Sequence, residues 1–257
     1  MIGYNHLGRN GRLGNQMFQY AALRGIAAKH GYEWCIPPSD FRDEQKDHQL
    51  FEAFKLPSVK NVEMLGATYL EEKSFTFDEE LFENCSDNVN LYGFFQTEKY
   101  FKHIEQQIRE DFIFVDDIWN PCKEIFSFDE AISLHIRRSD YVQKQNYHPL
   151  CSLAYYEEAL KKLPQDIPVL IFSDDPEWCK EQELFQPDRF LISESDHNLV
   201  DMCLMTMCQY HIIANSSFSW WGAWLSDSKK VIAPKVWFGP DANLDDSDLV
   251  PDSWERI

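Results

Sequence analysis

Two arginines stand side by side in His135-Ile136-Arg137-Arg138-Ser139-Asp140-Tyr141, at the end of an apolar run. A guanidinium is planar, stays charged and offers a fork of N–H donors, so it suits bidentate capture of phosphate. In a strand over residues 131–138, successive side chains point to opposite faces. One arginine can then meet an anionic ligand while the other pairs with an acid such as Asp140. The competing reading is a structural salt-bridge corner.

Three further segments share this setting, each just beyond a run that reads as a strand. The first is the stretch from Gly11 through Gly14-Asn15-Gln16 to Ala21. It occupies a strand-to-helix junction, where free backbone N–H groups and the helix dipole favour anions. It matches neither the dinucleotide fingerprint nor the P-loop, so their mechanics do not transfer. A tight turn capped by Asn15 explains it equally well. The second is Phe172-Ser173-Asp174-Asp175-Pro176. An ionised carboxylate accepts two donors, as a guanine edge would offer, although an acid before proline is also a helix cap. The third is Ala214–Ser226, where Asn215, Ser216, Ser217 and Ser219 precede Trp220, Trp221 and Trp224. The small polar groups can face a phosphate. The tryptophans can form either a sugar-stacking wall or a core.

These segments need strands to hold them. Ile2–Leu7, Glu33–Ile36 and Val89–Phe95 read as strands, with helices from Asn15 to His30 and from Thr97 to Arg109. Gly31 ends the first helix. Residues 113–128 show no stable period and mark a boundary, which divides the chain into 1–120 and 121–257. Beyond it, strands at 131–138, 169–173, 189–193, 211–214 and 230–233 alternate with helical runs at 153–163, from Pro176, at 198–210 and around 219–225. Such alternation implies a parallel sheet with helices on both faces, and ligands of such sheets bind beyond the carboxyl ends of the strands. Residues 39–88 resist organisation. The Asp-rich tail 241–252 reads as solvated, including Asp246-Ser247-Asp248.

Composition narrows the function classes. The chain has 257 residues, 44% hydrophobic and 15% aromatic, with a formal net charge of −19. That much apolar surface excludes intrinsic disorder. A chain this acidic is a poor partner for nucleic acid, whose binding rests on cations that release counterions. No apolar run approaches the ~18 residues of a spanning helix, and the N-terminus lacks a signal-peptide core. The seven cysteines form no CxxC pair and read as reduced core thiols.

Taken in order, Gly11–Ala21, His135–Tyr141, His148–Leu160 and Ala214–Ser226 resemble the bacterial type of α-1,2-fucosyltransferase, glycosyltransferase family 11. The resemblance covers nearly the whole chain. It implies a GT-B-like α/β fold, two Rossmann-like domains facing a cleft. Residues 1–120 would form the acceptor side and 121–257 would bind the donor, GDP-L-fucose. It implies inversion at the anomeric carbon, with no metal and no cofactor. Arg137 matches the arginine expected on the β-phosphate. His135 and Asp174 match guanine-holding positions, and Ser216, Ser217 and Phe218 match the phosphate-side loop. Arg138 joins the donor set, with Asp140 as its expected structural partner. Asn15 would lie across the cleft, and Gln16 and Trp220 on the acceptor side. Asp140 and His148 are the candidate bases. The expected acceptor is a galactose-terminated oligosaccharide or glycolipid, modified at O2 in the cytoplasm, with peripheral membrane contact left open. An α-1,6 or protein-O linkage is the alternative, as is a nucleotide-sugar or glycan-binding protein without catalysis. One departure from the family pattern is Gly11-Arg12, where a glycine pair is usual.

Overall fold

The computed structural model describes residues 1–39, 48–57 and 59–257. The chain divides into two compact units, Met1–Val115 with Leu244–Pro251, and Asp116–Asn243 with Asp252–Ile257. The segment Leu244–Pro251 thus returns to the first unit, which a single division after residue 120 does not provide for. No described helix is long and apolar enough to cross a membrane.

The first unit is built on five parallel strands, β1 (Ile2–Gly3), β2 (Trp34–Ile36), β3 (Lys60–Asn61), β4 (Thr68–Glu71) and β5 (Val89–Tyr92), in the order β3-β2-β1-β5-β4. The helix Leu13–His30 connects β1 to β2 and buries Met17, Phe18, Ala21, Ala22 and Ile26. Gln16, Gln19, Tyr20 and Leu23 are buried as well, so the helix is covered nearly all round and not only on the face Phe18, Ala21, Ala22, Gly25 and Ile26 legible in the sequence. Gly31 closes it at φ 68, donating to Ala27 and Ala28 carbonyls. A side chain at Gly25 would place its Cβ 2.0 Å from the Tyr100 carbonyl, so backbone meets backbone there. The helix starts at Leu13 with Arg12 at the cap position, and Asn15 therefore lies within the first turn instead of capping it.

The polar stretch that the sequence left unorganised carries β3, β4 and the helix Glu79–Asn84. β3 and β4 lie at opposite edges of the sheet, joined by residues 62–67. Met64 in this connection sits over Gly3, where a Cβ would come within 2.7 Å of its sulfur. Asn5 grips the Met64 backbone, donating to its carbonyl at 2.7 Å and accepting from its N–H at 3.0 Å. The part of 39–88 at residues 40–47 and 58 lies outside the described residues. The expected helix from Thr97 is two 3-10 turns, Glu98–Tyr100 and Lys102–Ile104, followed by the α-helix Glu105–Asp111. The tail is not merely solvated. Leu249 and Val250 are buried, and Asp248 accepts from the Phe77 N–H and pairs with Lys99.

The second unit has six parallel strands, β6 (Ile132–Ile136), β7 (Val169–Ser173), β8 (Phe190–Ile192), β9 (Tyr210–Ile212), β10 (Lys230–Ala233) and β11 (Glu255–Arg256). Their order is β11-β10-β9-β6-β7-β8. Counted from β6, this is the doubly wound order, and the direction of winding reverses between β6 and β9. Ile132, Leu134, Ile136, Val169, Ile171, Ile212 and Ile232 form the core with Tyr156, Ala159 and Leu160 of the helix Leu153–Lys161. Residues 116–125 form a helix inside the stretch that shows no stable period. It holds Pro121 in its interior, yet Ile118, Cys122 and Ile125 recur at helical spacing, with Cys122 buried, so the period is present over these ten residues and is lost in the longer stretch 113–128. The seven cysteines are free thiols, and all but Cys151 are buried.

Candidate active site

The crevice at a winding reversal is where doubly wound sheets receive ligands. In the second unit, three strand ends meet around it. β6 continues into Arg137 and Arg138, β7 into Asp174 and Asp175, and β9 into the turn Ala214–Ser216 that opens the helix Ser217–Leu225.

Arg137 is the centre of the cluster. Its Nη1 forms an ion pair with Asp174, its Nη2 donates to Asp140, and its guanidinium lies 5.2 Å from the centre of the Tyr141 ring. Two carboxylates account for two of its five N–H donors. Its side chain is 16% exposed, so the charge is partly withdrawn from water while still reachable. Arg138 points elsewhere. Its Nε donates to Asp175 at 2.9 Å and its guanidinium stacks 4.0 Å from the centre of Trp178. The partners are therefore exchanged relative to expectation: Asp140 holds Arg137, and Arg138 is held by Asp175. Strand alternation explains the divergence, since the adjacent side chains leave opposite faces.

Asp174 binds the end of β6 twice. Besides Arg137, its Oδ1 accepts from the Arg138 backbone N–H at 2.8 Å. Asp175 is the cap of the helix Pro176–Lys180, accepting from the Trp178 N–H at 3.2 Å. In this arrangement the Asp174 carboxylate is engaged by a cation, so a guanine edge would have to share it.

His135 is the penultimate residue of β6 and is buried. Its Nδ1 meets no partner among the described residues. Burial pushes its pKa down to about 4, with the Asp174 charge opposing and the Arg137 charge reinforcing the drop. It is a neutral imidazole at physiological pH, able to donate from one nitrogen and accept at the other. Its ring lies 5.7 Å from that of Phe218, which links β6 to the turn after β9.

That turn is rigidly built. Asn215 is buried and donates to the carbonyls of Pro149 at 2.9 Å and Trp237 at 3.0 Å. Ser216 caps the helix, its Oγ accepting from the Phe218 N–H at 3.4 Å. Ser217 and Phe218 are partly exposed in the first turn. Backbone N–H groups at a helix start carry positive partial charge.

Tyr141 joins these parts and was not singled out in the sequence. Its hydroxyl donates to the Asn215 carbonyl at 3.2 Å, and its ring stacks on His148 at 4.6 Å. Burial pushes the Tyr141 hydroxyl up to about 12. His148 is pushed below its ordinary value by burial; Asp140 opposes the shift, while Lys144 and Arg137 add to it. Its neutral form can take a proton at neutral pH. Asp140, His148 and Arg137 thus form one neighbourhood around Tyr141.

Two expected acceptor contacts are corrected. Trp220 is fully buried, packed against Trp221, Trp224 and Trp254 with ring centres 5.0, 6.1 and 5.3 Å away. It has no face for a sugar and belongs to the core. Gln16 is also buried, its Nε2 donating to the Gly11 carbonyl at 3.3 Å and its Oε1 accepting from the Gln49 N–H at 3.1 Å. Both ends of its amide serve the backbone.

In the first unit, Asn15 lies at the junction after β1, below Gly11. Gly11 adopts φ 92, and a Cβ there would collide with the Asn15 side chain at 2.0 Å. The Asn15 Oδ1 accepts from Gln96 Nε2 at 2.7 Å. Gln96 and Trp178 gave no motif signal, whereas Asp175 was legible in the Phe172–Pro176 segment as a cap. Among the described residues no three His, Cys, Asp or Glu side chains converge as a metal-holding group.

With this geometry in view, the comparisons with known proteins are specific. A model of glycosyl transferase family 11 matches residues 1–254. An α-1,2-colitosyltransferase of Escherichia coli is 32% identical over 96% of both chains. The O-antigen biosynthesis glycosyltransferase WbnK of the same organism is 29% identical over 96% of this chain and 98% of its own. Human galactoside α-(1,2)-fucosyltransferase 1 is 25% identical over 86% of this chain and 65% of its own. Among solved structures, NodZ α-1,6-fucosyltransferase soaked with GDP-fucose superposes with a TM-score of 0.60 at 17% identity, over 91% of this chain and 94% of that one. POFUT1 in complex with GDP gives 0.54 at 14%, over 88% and 94%. The fold shared with these structures is the GT-B-like α/β architecture.

Proposed function

The chain belongs to glycosyl transferase family 11, and from that premise we propose that it transfers L-fucose from GDP-L-fucose to O2 of a terminal galactose on an oligosaccharide or glycolipid, inverting the anomeric carbon without a metal ion. The observation that carries this reading is Arg137, a largely buried guanidinium at the winding reversal between β6 and β9.

The reaction breaks the bond between the fucose anomeric carbon and the β-phosphate oxygen. Negative charge grows on the departing diphosphate, and a fixed cation there lowers the barrier. Arg137 supplies that cation, and the helix start at Ser216–Phe218 adds oriented N–H donors. Neutral His135, whose buried Nδ1 has no partner among the described residues, and Asp174 are the groups at this edge assigned to the guanine. Asn15, in the first unit, is the residue proposed to act on the donor phosphate or acceptor. A new bond forms from acceptor O2 to the anomeric carbon, and the O2 proton must leave. Two groups can take it: His148, unprotonated at neutral pH, and Asp140, already bound to Arg137.

A second donor is favoured by one observation, the colitosyltransferase relative at 32% identity. Colitose is L-fucose without its 3-hydroxyl. A site that hydrogen-bonds that hydroxyl rejects the deoxy analogue strongly, because its own polar group is left unpaired. The test offers both GDP-sugars and a panel of galactosides, follows GDP release, and determines product linkage by NMR. Transfer to O2 of galactose supports the proposal. An α-1,6 or protein-O product replaces the linkage. GDP-fucose binding by calorimetry without transfer supports a sugar-binding protein, and no binding to either donor refutes the reading altogether. The same assay with EDTA tests independence from metal.

A further inference from the structure

Glu72 follows β4 and carries a carboxylate for which the transfer reaction has so far no use. Its side chain lies flat against Gly93, just beyond β5, where a Cβ would meet Glu72 Cβ at 2.6 Å. Only glycine permits this approach. From there the carboxylate accepts from the Phe94 N–H at 2.8 Å and from the Phe95 N–H at 3.0 Å. Phe95 is held at φ 53, a left-handed conformation that a bulky residue adopts only when its surroundings impose it. The turn is fixed from the other side as well. Tyr4 donates to the Gly93 carbonyl and accepts from the Gly93 N–H, and Gln19 Nε2 donates to the same carbonyl at 3.2 Å. The next residue is Gln96, whose Nε2 donates to Asn15 Oδ1 at 2.7 Å.

We propose that Glu72 is a positioning residue: it clasps the Gly93–Phe95 turn so that Gln96 orients the amide of Asn15. This rests on Asn15 taking part in transfer, as proposed above. Strain at Phe95 identifies the turn as imposed, and the carboxylate is the acceptor that two consecutive N–H groups require. Among the described residues Glu72 makes no ion pair. The charged or titratable groups facing it are Asp78, from the start of the helix Glu79–Asn84, and the buried hydroxyls of Tyr4 and Tyr100. Burial, with Asp78 adding to it, pushes Glu72 up to about 7, against the pull of the two backbone donors. Above that pH the carboxylate is ionised and the clasp closes. Below it the proton occupies one oxygen and the clasp loosens.

The experiment has two arms. In the first, the side-chain amide signals of Asn15 and Gln96 are followed by 15N NMR between about pH 5.5 and 8.5. They should move with a midpoint near 7 in the parent and stay still in Glu72→Gln, which keeps an oxygen acceptor but cannot titrate. In the second, donor kinetics are measured with far-UV circular dichroism as the fold control. Glu72→Gln should keep turnover within about threefold at pH 8 and lose the decline toward pH 6. Glu72→Ala and Gln96→Ala should each lower kcat about tenfold or more with little change in KM, and the double variant should be no worse than either. Amide signals that titrate alike in parent and Glu72→Gln overturn the relay, as do additive losses. If the parent transfers no sugar, the proposed reaction falls while the NMR arm still decides the relay.

Discussion

Replacing Arg137 by lysine keeps the charge and removes the fork, so it separates the two things the guanidinium does. Arg137 meets Asp174 through Nη1 and Asp140 through Nη2. A lysine ammonium carries its three donors on one atom at the end of a flexible stem, so it lacks the fixed spacing by which the fork meets both carboxylates. Charge-assisted hydrogen bonds contribute ~1.5–3 kcal/mol when buried. The Asp140 side chain is 41% exposed and Asp174 21%, so solvent screening discounts both. The expected stability loss in Arg137→Lys is ~1 kcal/mol, read from urea unfolding. The kinetic loss is larger. Donors aimed at a developing oxyanion contribute ~2.7–4 kcal/mol each, and at ~1.4 kcal/mol per factor of ten this is about 10²–10³ in turnover. Because the charge develops on departure of GDP, kcat should fall far more than the donor KM rises. Arg137→Ala should lose still more, with the fold intact by circular dichroism. GDP release under saturating donor is the assay. Turnover of Arg137→Lys within tenfold of the parent, in a folded protein, would falsify the phosphate role.

Other perturbations have distinct signatures. Arg138→Ala removes the Asp175 pair and the Trp178 stack; it should cost ~1–2 kcal/mol of stability and reduce turnover less than Arg137→Ala, and the reverse ranking would show the wrong arginine assigned. Trp220→Ala empties a fully buried indole site. It should destabilise by ~3–5 kcal/mol in urea titration; a variant that is fully stable but weak only in acceptor KM would return this residue to the sugar. Burial pushes both His135 and His211 down to about 4. Depressed pKa values mean that the unfolded chain takes protons first, so these two residues withdraw stability as pH falls from about 6.5 toward 4. Their imidazole NMR signals should not titrate between pH 8 and 5, and a midpoint near 6.5 for His135 would contradict its burial.

The sequence carried the second unit better than the first. Val169–Ser173 and Lys230–Ala233 coincide with their expected bounds because each is a short apolar run with turn residues on both sides. Pro176 and Gly31 marked helix ends for stereochemical reasons that context cannot easily override. β1 stops short of the expected Leu7 because the Asn5 N–H donates to the Asn90 side chain instead of a strand carbonyl, and the Leu7 and Arg9 N–H groups close turns on Tyr4 and His6. The tertiary bond to Asn90 leaves no local pattern. The same division holds at the site. The gathering of His135, Arg137, Asp174 and Ser216–Phe218 at one sheet edge was legible because strand ends converge there. The partner of Arg138 was not, since Asp175 lies 37 positions away while Asp140 is near in sequence. Trp220 and Gln16 lie in motifs that include partly exposed members; only burial reveals that these two face inward. Glu72 had no signal at all, being one acid among 43.

The return of Leu244–Pro251 to the first unit has a consequence for how the protein is made. The chain leaves that unit after Val115, completes nearly all of the second, revisits the first, and finally adds β11 to the second. During synthesis, therefore, Phe77 and Lys99 wait for Asp248 until nearly all of the second unit has been made. Neither unit can be finished by an N-terminal fragment, and removal of the final fourteen residues, 244–257, would strip both at once. One short stretch, residues 244–257, thus completes both halves together.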